Sequence, residues 1–378
     1  MKYIQISTGL NDGGAEAVLY RLICNDTPAH HHVISLMDEG KYGPLLTQAG
    51  AKVSCLNMPR GRLTVGGLWR LWRLLRQERP AVVQTWMYHG DLVGGVFARL
   101  AGVARVCWGI HHTTLERGKS ARSTIFVARL NARLSRWVPH AIVCCAEKTR
   151  VVHAELGYSA DKMVVIPNGY DLQRFQPDAD SRKRLRQEWR VSDDMCLLGL
   201  VGRFDPQKDH ANLIAALAHL KQSSVEFRCV LVGTGLNESN ITVVNWIAQH
   251  GLVNQVVLLG QRNDIPDVMN ALDLHLLSSS SGEAFPNVLA EAMACGTPCV
   301  TTDVGDAALI VGNTGWVVPP GSPEALAKAV QAACQERLIH PPDWSSRQNA
   351  ARQRIVAHFS IKRMINGYKQ VWSGMVDA

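Results

Sequence analysis

Apolar and polar positions along the chain follow two periods that take turns. Short apolar runs bounded by glycine, proline or polar clusters fall at residues 3–7, 32–37, 53–56, 82–85, 105–110 and 141–144, and they predict strands. Between them, apolar residues recur at three-to-four spacing over 15–24, 65–77, 91–101 and 123–137, which predicts helices. The pattern then restarts. Strands are predicted at 197–201, 228–232, 256–259, 274–277 and 298–301, with helices at 212–221, 242–250, 266–272, 288–294 and 323–335. Strand–helix alternation of this kind implies parallel sheets covered by helices on both faces.

The stretch 171–190 is polar, with Pro177 and a charge cluster at 182–186, and reads as a linker. The chain therefore divides into a first doubly wound α/β domain (1–168) and a second (169–345). A C-terminal helix over 346–378 follows Pro341 and Pro342 and crosses back to the first domain. Two such sheets facing a central cleft hold ligands at the carboxyl ends of their strands.

The 378 residues are 47% apolar and 19% charged, which excludes a disordered or fibrous protein. No apolar run reaches the ~18–20 residues that span a bilayer, and the N-terminus reads as a first strand and not a secretory leader, so the chain is expected to be cytoplasmic, or at most peripheral on the inner face of the cell membrane. Ten cysteines without a CxxC pair, several inside apolar runs, read as reduced core residues. The net charge of +8 is uneven: residues 1–170 carry 21 Lys and Arg against 11 Asp and Glu, while 171–378 carry 19 against 21. An anionic partner is expected for the first half. On 65–79, VGGLWRLWRLLRQER, Arg70, Arg73, Arg76 and Arg79 form a stripe, and Leu68, Trp69, Leu71, Trp72, Leu74 and Leu75 supply the apolar side. The helix at 123–137 adds Arg129, Arg133, Arg136 and Trp137. Basic and aromatic residues on amphipathic helices suit an anionic membrane surface, against the plainer reading of a core-packed helix with a solvated edge. Nucleic acid is not expected, since no recognition module accompanies the charge.

The densest chemistry lies in SSSSGEAFPNVLAEAMACGTP at 278–298, where a strand ends in a small-residue loop and a helix begins near Asn287. Pro286 suits a first-turn position. The free amides of Asn287, Val288 and Leu289, aided by the helix dipole, can cradle a phosphate. Glu283 precedes the helix and Glu291 lies just over a turn into it, so they can reach opposite ends of one extended ligand. A phosphate between two carboxylates suggests a nucleotide sugar, with ribose hydroxyls on Glu291 and sugar hydroxyls on Glu283. The bland alternative makes Glu283 a cap and Glu291 a surface residue.

This Glu-x7-Glu arrangement strongly resembles the retaining glycosyltransferases of family 4, which have the GT-B fold, and the resemblance extends over nearly the whole chain. It implies that Arg203 and Lys208, in GLVGRFDPQKD at 199–209 beyond the Gly202 turn, grip the donor diphosphate. Breaking the sugar–phosphate bond puts negative charge on the leaving group, and two fixed cations stabilise it where a metal ion would otherwise serve. It also implies that Gly13 and Gly14, in NDGGAE at 11–16, form a turn beside donor and acceptor, since glycine permits φ > 0 and close approach. A histidine at the end of WGIHHT faces the transferred sugar in relatives, with His111 favoured and His112 second. Gly233 matches the turn next to the nucleotide, and Arg262 the segment that lines the base pocket through its backbone. Residues 302–306 match an Asp–Gly turn, although relatives often carry a second glycine where Asp306 stands.

Two patterns are set aside. Asp178-Ala179-Asp180 fits a metal-binding DxD motif but lies in the linker, and His30-His31-His32 reads as a surface loop. No metal site and no cofactor is expected beyond a UDP- or GDP-linked sugar donor. The resemblance implies hexosyl transfer to a glycan or lipid-linked acceptor in bacterial surface polysaccharide assembly (lipopolysaccharide, capsule or exopolysaccharide). Rival readings are a sugar-nucleotide epimerase of the same architecture, a non-catalytic nucleotide-sugar module, and an NAD-dependent oxidoreductase. The last would want a complete GxGxxG after the first strand.

Overall fold

A computed structural model describes residues 2–113, 121–223 and 225–374. The chain folds as two units: one takes in the chain to Gly169 and again from Ile361 onward, the other Tyr170–Ser360.

The first unit is a seven-stranded parallel sheet in the order β3-β2-β1-β4-β5-β6-β7. Its strands are β1 (Tyr3–Ser7), β2 (His31–Ser35), β3 (Lys52–Cys55), β4 (Val82–Trp86), β5 (Val106–Ile110), β6 (Ala141–Cys144) and β7 (Met163–Val165). Its helices are α1 (Gly14–Asn25), α2 (Tyr42–Gln48), α3 (Val65–Glu78), α4 (Met87–Leu100), α5 (Arg122–Leu134) and α6 (Glu147–Glu155). One apolar layer lies under α3, α4 and α5, built from residues such as Leu71, Leu75, Ala98, Trp108 and Ala128. The opposite face packs on α1 and α2.

The second unit opens with α7 (Ala179–Glu188) and holds a six-stranded parallel sheet in the order β10-β9-β8-β11-β12-β13. These strands are β8 (Cys196–Val201), β9 (Phe227–Val232), β10 (Val256–Gly260), β11 (Leu274–Leu277), β12 (Cys299–Thr302) and β13 (Trp316–Val318). The helices are α8 (His210–Lys221), α9 (Ile241–Gln249), α10 (Ile265–Ala271), α11 (Asn287–Ala294), α12 (Ala307–Val311), α13 (Pro323–Ile339) and α14 (Pro341–His358). Residue after residue of β8 and β11 is buried, as strands covered on both faces require. The two doubly wound parallel sheets expected from the sequence are both present.

Three expectations change. The stretch read as a linker folds as α7, because Arg182, Arg186 and Arg337 surround buried Asp273 at 2.5, 3.0 and 3.1 Å and tie α7 to the start of β11. Its DxD pattern is a helix cap: Asp178 accepts from the Asp180 and Ser181 amides. The C-terminal stretch is two helices: α14 stays in the second unit, and α15 (Ile361–Ser373) belongs to the first and packs on α1. The break follows Phe359, whose carbonyl accepts from the Tyr170 amide at 2.9 Å. His31 and His32 are buried strand residues and not a surface loop. Asp26 and Gln5 satisfy His31 at 2.9 and 3.2 Å, Ser54 satisfies His32 at 2.9 Å, and the Tyr3 and Trp372 rings lie against His31. All ten cysteines are free and eight are buried.

Candidate functional site

In each sheet the chain reverses its direction of strand addition at one place, between β1 and β4 in the first unit and between β8 and β11 in the second. At such a point the loops leaving neighbouring strands part and open a crevice at their carboxyl ends. The residues singled out by sequence follow these strands.

In the second unit, β8 leads through Gly202 to Arg203 and a single 3-10 turn, Pro206–Lys208. Asp205 caps that turn, accepting from the Gln207 amide at 2.9 Å and from Arg203 Nε at 3.0 Å. Burial raises the Asp205 pKa, but these two donors outweigh it and hold the carboxyl below its ordinary range. From β11 comes Ser278–Glu283. Lys208 Nζ donates to Glu283 Oε1 at 2.6 Å, and the Ser279 hydroxyl donates to the same oxygen at 2.9 Å. Lys208 and Glu283 keep only 16% and 15% of their side-chain surface exposed. The two loops are also stitched by backbone: the Ser278 hydroxyl donates to the Lys208 carbonyl (2.7 Å), and the Ser280 amide to that of Gln207 (2.8 Å). The aliphatic stem of Lys208 lies against Gly202.

Two glycines explain how the loops come so close. Gly233, at the end of β9, has φ +149°, and a Cβ there would stand 2.1 Å from the Gly202 carbonyl oxygen. Gly305 has φ +54°, and its Cβ would meet the carbonyl oxygens of Glu283 and Ala284 at 2.4 and 2.5 Å. The Asp306 amide then donates to the Ala284 carbonyl at 2.9 Å. Asp306 itself has φ −94°, so the backbone makes no demand for the second glycine found in relatives.

At the start of α11 the expected phosphate cradle is smaller than three amides. The Leu289 N–H already donates to the Pro286 carbonyl at 3.2 Å, and its side chain is buried. Asn287 and Val288 stand at the helix start, with Asn287 Oδ1 accepting from the Tyr170 hydroxyl at 2.7 Å and Glu291 one turn on, partly exposed. Arg203 is the outlying cation, 60% exposed. Arg262 is elsewhere: its guanidinium donates to Asp264 at 2.8 and 2.6 Å, reaches Glu188 at 3.3 Å and covers the Trp189 ring. Only its backbone is uncommitted to that knot.

In the first unit, Gly13 caps α1 with φ −133°, and Gly14 is the first helical residue, so neither uses the left-handed freedom expected of it. Around Gly14 the space where a Cβ would stand is open; at Gly13 it is taken by the Glu16 carboxylate. Across the switch point β4 ends at Trp86, and Met87 follows with φ +67°. His111 leaves β5 and stacks on Trp86, with ring centroids 5.0 Å apart and planes at 21°. The Trp86 indole N–H donates to Gln5 Oε1 at 2.9 Å. Burial, helped by the nearby Arg21 cation, pulls the His111 pKa down to about 3. Its Nε2 is buried without a hydrogen-bond partner among the described residues. His111 is therefore a neutral imidazole, able to donate or accept but not to carry charge near neutral pH. His112 beside it is partly exposed. Trp86, Gln5, Ser279 and Tyr170 escape a sequence reading, since a buried tryptophan or serine looks like ordinary core and only the fold shows what it supports.

On α3, Leu71 and Leu75 are buried as expected, but Trp69 and Trp72 are not on the apolar side. Both are exposed, with Arg73 and Arg76 over their rings at 5.2 and 5.8 Å. Among the described residues, no three His, Cys, Asp or Glu side chains converge as metal ligands would, and no helix is long and apolar enough to cross a membrane.

Two family profiles match the chain in tandem: Glycosyltransferase Family 4 over residues 12–174, and Glycosyl transferases group 1 over 181–353. The chain is 25% identical, over 81% of its length and 78% of the relative's, to the UDP-Gal:alpha-D-GlcNAc-diphosphoundecaprenol alpha-1,3-galactosyltransferase of Escherichia coli. It is 26% identical to the putative glycosyltransferase EpsF of Bacillus subtilis, over 80% of this chain and 79% of that one. Its fold matches Anabaena HepE crystallised with UDP at a TM-score of 0.88 and 22% identity, over 99% of this chain and 100% of HepE. The same protein crystallised with UDP-glucose matches at 0.84 and 23%, again over 99% and 100%.

Proposed function

The chain belongs to glycosyltransferase family 4, with the GT-B fold, and from that premise we propose that it moves a hexose or related sugar from a nucleoside diphosphate to an acceptor hydroxyl with retention at the anomeric carbon. The observation that carries this reading is the Lys208–Glu283 contact at the β8/β11 switch point, where a cation and the carboxylate proposed to bind the sugar meet with little of either side chain exposed.

The donor diphosphate sits against the Asn287 and Val288 end of α11, where amide dipoles favour an anion. Lys208 and Arg203 take up the charge that develops as the sugar–phosphate bond breaks. Without ligand, Glu283 neutralises Lys208; with donor bound, the diphosphate shares that cation, and Glu283 turns its second oxygen to sugar hydroxyls. Glu291 takes the ribose. Gly202 and Gly233 keep side chains away from the nucleotide, Arg262 offers its backbone to the base, and the Gly13–Gly14 turn lies beside donor and acceptor, with open space at Gly14. In the first unit a neutral His111 hydrogen-bonds the sugar, with His112 as the alternative. Attack is from the front face: an oxygen of the leaving phosphate accepts the acceptor's proton. No carboxylate acts as nucleophile, and protein cations do the work a metal would otherwise do.

The relatives in Escherichia coli and Bacillus subtilis support a place in bacterial surface-polysaccharide assembly, with a glycan or lipid-linked acceptor and a UDP- or GDP-linked donor. The exposed Trp69 and Trp72 with Arg70, Arg73 and Arg76 support contact of α3 with the anionic inner face of the membrane. A thermal-shift screen against UDP, GDP, ADP and their sugars identifies the donor, since a ligand of the folded state raises its midpoint. With that donor, Glu291→Ala and Lys208→Ala should each lose most transfer while remaining folded, and near-native rates in both would refute the reading.

A further inference from the structure

α5 carries a charged groove that the transferase reading does not use. Arg129, Arg133 and Arg136, spaced as i, i+4 and i+7, line one surface groove of about 430 Å³ with Ala132, Trp137, Leu156 and Gly157. Arg129 and Arg133 stand one turn apart on the same face of α5, and Arg136 and Trp137 follow in the turn beyond its end. The volume falls within the ~300–1,000 Å³ of small-ligand sites.

Three features suit this groove to an anion. Its arginines have no carboxylate partner among the described residues, whereas in the second unit Arg182, Arg184, Arg186, Arg262, Arg337 and Arg347 all do. The carbonyls of the turn that follows α5, which would repel an anion, are already covered. Lys162 Nζ donates to those of Ser135, Arg136 and Pro139 at 3.2, 2.7 and 3.1 Å, and Arg99 Nε to that of Val138 at 2.6 Å. Glu155 and Asp161, on either side of the 156–157 rim in sequence, are not lining residues; the Asp161 charge acts on Lys162 instead. At the mouth, the Trp137 indole is 70% exposed, an apolar surface beside three unpaired guanidiniums.

We propose that this groove binds a phosphate ester, its oxygens held by the forked donors of Arg129, Arg133 and Arg136 and its apolar portion against Trp137. The site is separate from transfer. α5 runs from the carboxyl end of β5 to the amino end of β6, so Arg133, Arg136 and Trp137 lie at the sheet edge opposite His111. A phospholipid head group and a soluble phosphate offer the same chemistry.

Calorimetric titration of the full chain with inorganic phosphate, with monomeric short-chain phosphatidylglycerol, and with phosphatidylcholine of equal chain length separates these sources. The wild type should bind at least one of the first two saturably and more weakly as salt is raised. Replacing Arg129, Arg133 and Arg136 together by Gln should weaken that binding roughly tenfold, as expected from losing three charge-assisted contacts. Arg150→Gln, which removes an arginine already paired with Glu147, should leave it unchanged. Saturation by inorganic phosphate shows that the phosphate alone suffices; saturation by phosphatidylglycerol alone assigns the site to lipid. No saturable binding to either, or equal binding by the triple variant, overturns the proposal. Donor turnover by the triple variant should remain native, which checks its folding and keeps this test independent of the transferase assignment; Arg133→Gln alone serves if the triple variant does not fold.

Discussion

Replacing Lys208 by Met separates two roles that the 2.6 Å contact with Glu283 combines. The first is catalytic. Removing one preorganised group that stabilises developing charge costs about 2.7–4 kcal/mol, roughly 10²–10³ in turnover. The second is structural. Without Lys208, the Glu283 carboxylate keeps the Ser279 hydroxyl at 2.9 Å and 15% exposure. Breaking a fully buried pair costs ~3–5 kcal/mol, and residual solvent access moves this case toward ~1–3 kcal/mol. For a unit of this size that corresponds to roughly 2–4 °C of melting temperature per kcal/mol.

The double variant Lys208→Met with Glu283→Gln resolves the two. A neutral amide needs no cation, so most of the lost melting temperature should return. Turnover should not, because the charge on the leaving diphosphate still has no Lys208. The measurements are calorimetric melting and release of nucleoside diphosphate under saturating donor, read as a double-mutant cycle. Recovery of turnover in the double variant would mean that Lys208 serves only to neutralise Glu283, and the cation mechanism fails. Turnover of the single variant within about threefold of native, far short of the loss expected for such a group, would refute it as directly.

Other consequences follow from single positions. Gly305→Ala forces a Cβ into the Glu283 and Ala284 carbonyls at a left-handed φ, and should lower both stability and donor binding, whereas Asp306→Gly, at an ordinary φ, should cost no more than ~1 kcal/mol from added backbone freedom; comparable melting of the two variants contradicts the geometry. Asp178→Ala removes the α7 cap and should lower the melting temperature without changing turnover at any magnesium concentration, whereas a metal-dependent loss would restore the DxD reading. Burial pulls the His275 pKa down to about 3, so the folded state excludes a proton that the unfolded chain binds below ~6.5. Stability therefore falls as pH drops from 6.5 toward 3, by about 2 kcal/mol from this group at pH 5. Urea midpoints at pH 7.5 and 5 should show a smaller acid loss in His275→Asn, and an unchanged loss refutes the assignment.

The two sheets were legible because parallel strands buried on both faces leave long apolar runs, and no alternative element explains 196–201 or 274–277 so well. Elements with little apolar surface were not. α2, α6 and α7 are short and polar, and β7 and β13 are three-residue edge strands. The polarity that made α7 resemble a linker is what fixes it, since Arg186 is buried on Asp273, a partner 87 residues away that no local pattern reveals. The site divides similarly. Lys208 and Glu283 stand in recognisable loops, and their meeting follows from β8 and β11 being neighbours. The Leu289 N–H bond to the Pro286 carbonyl is not legible in sequence because it depends on the conformation of Pro286, and the exposure of Trp69 and Trp72 is not because helical spacing alone does not tell which side a ring on the boundary takes.

The two switch points differ in their electrostatics, and the difference suits the roles proposed for each. Beside β8 and β11 stand Arg203 and Lys208, both cations, within reach of carboxylates that keep them in place. Beside β4 and β5 burial favours the neutral form of the titratable groups, with Arg21 the cation nearby. His111 is stripped of its proton by burial, and burial likewise drives the Asp91 pKa well upward, against the hydrogen bonds from the Thr85 hydroxyl and the Gly109 amide. A diphosphate gaining charge calls for the first environment. A sugar with only hydroxyl groups calls for the second, where a charged imidazole would hold its water in preference to the sugar. The indole of Trp86, anchored by Gln5, gives His111 an apolar wall that disfavours protonation and fixes the ring plane. Converting that wall to a polar one, by Trp86→Gln, should raise the His111 pKa toward its ordinary value and bring a new inflection into the pH profile of transfer. A profile that merely scales down without changing shape would leave Trp86 a packing residue.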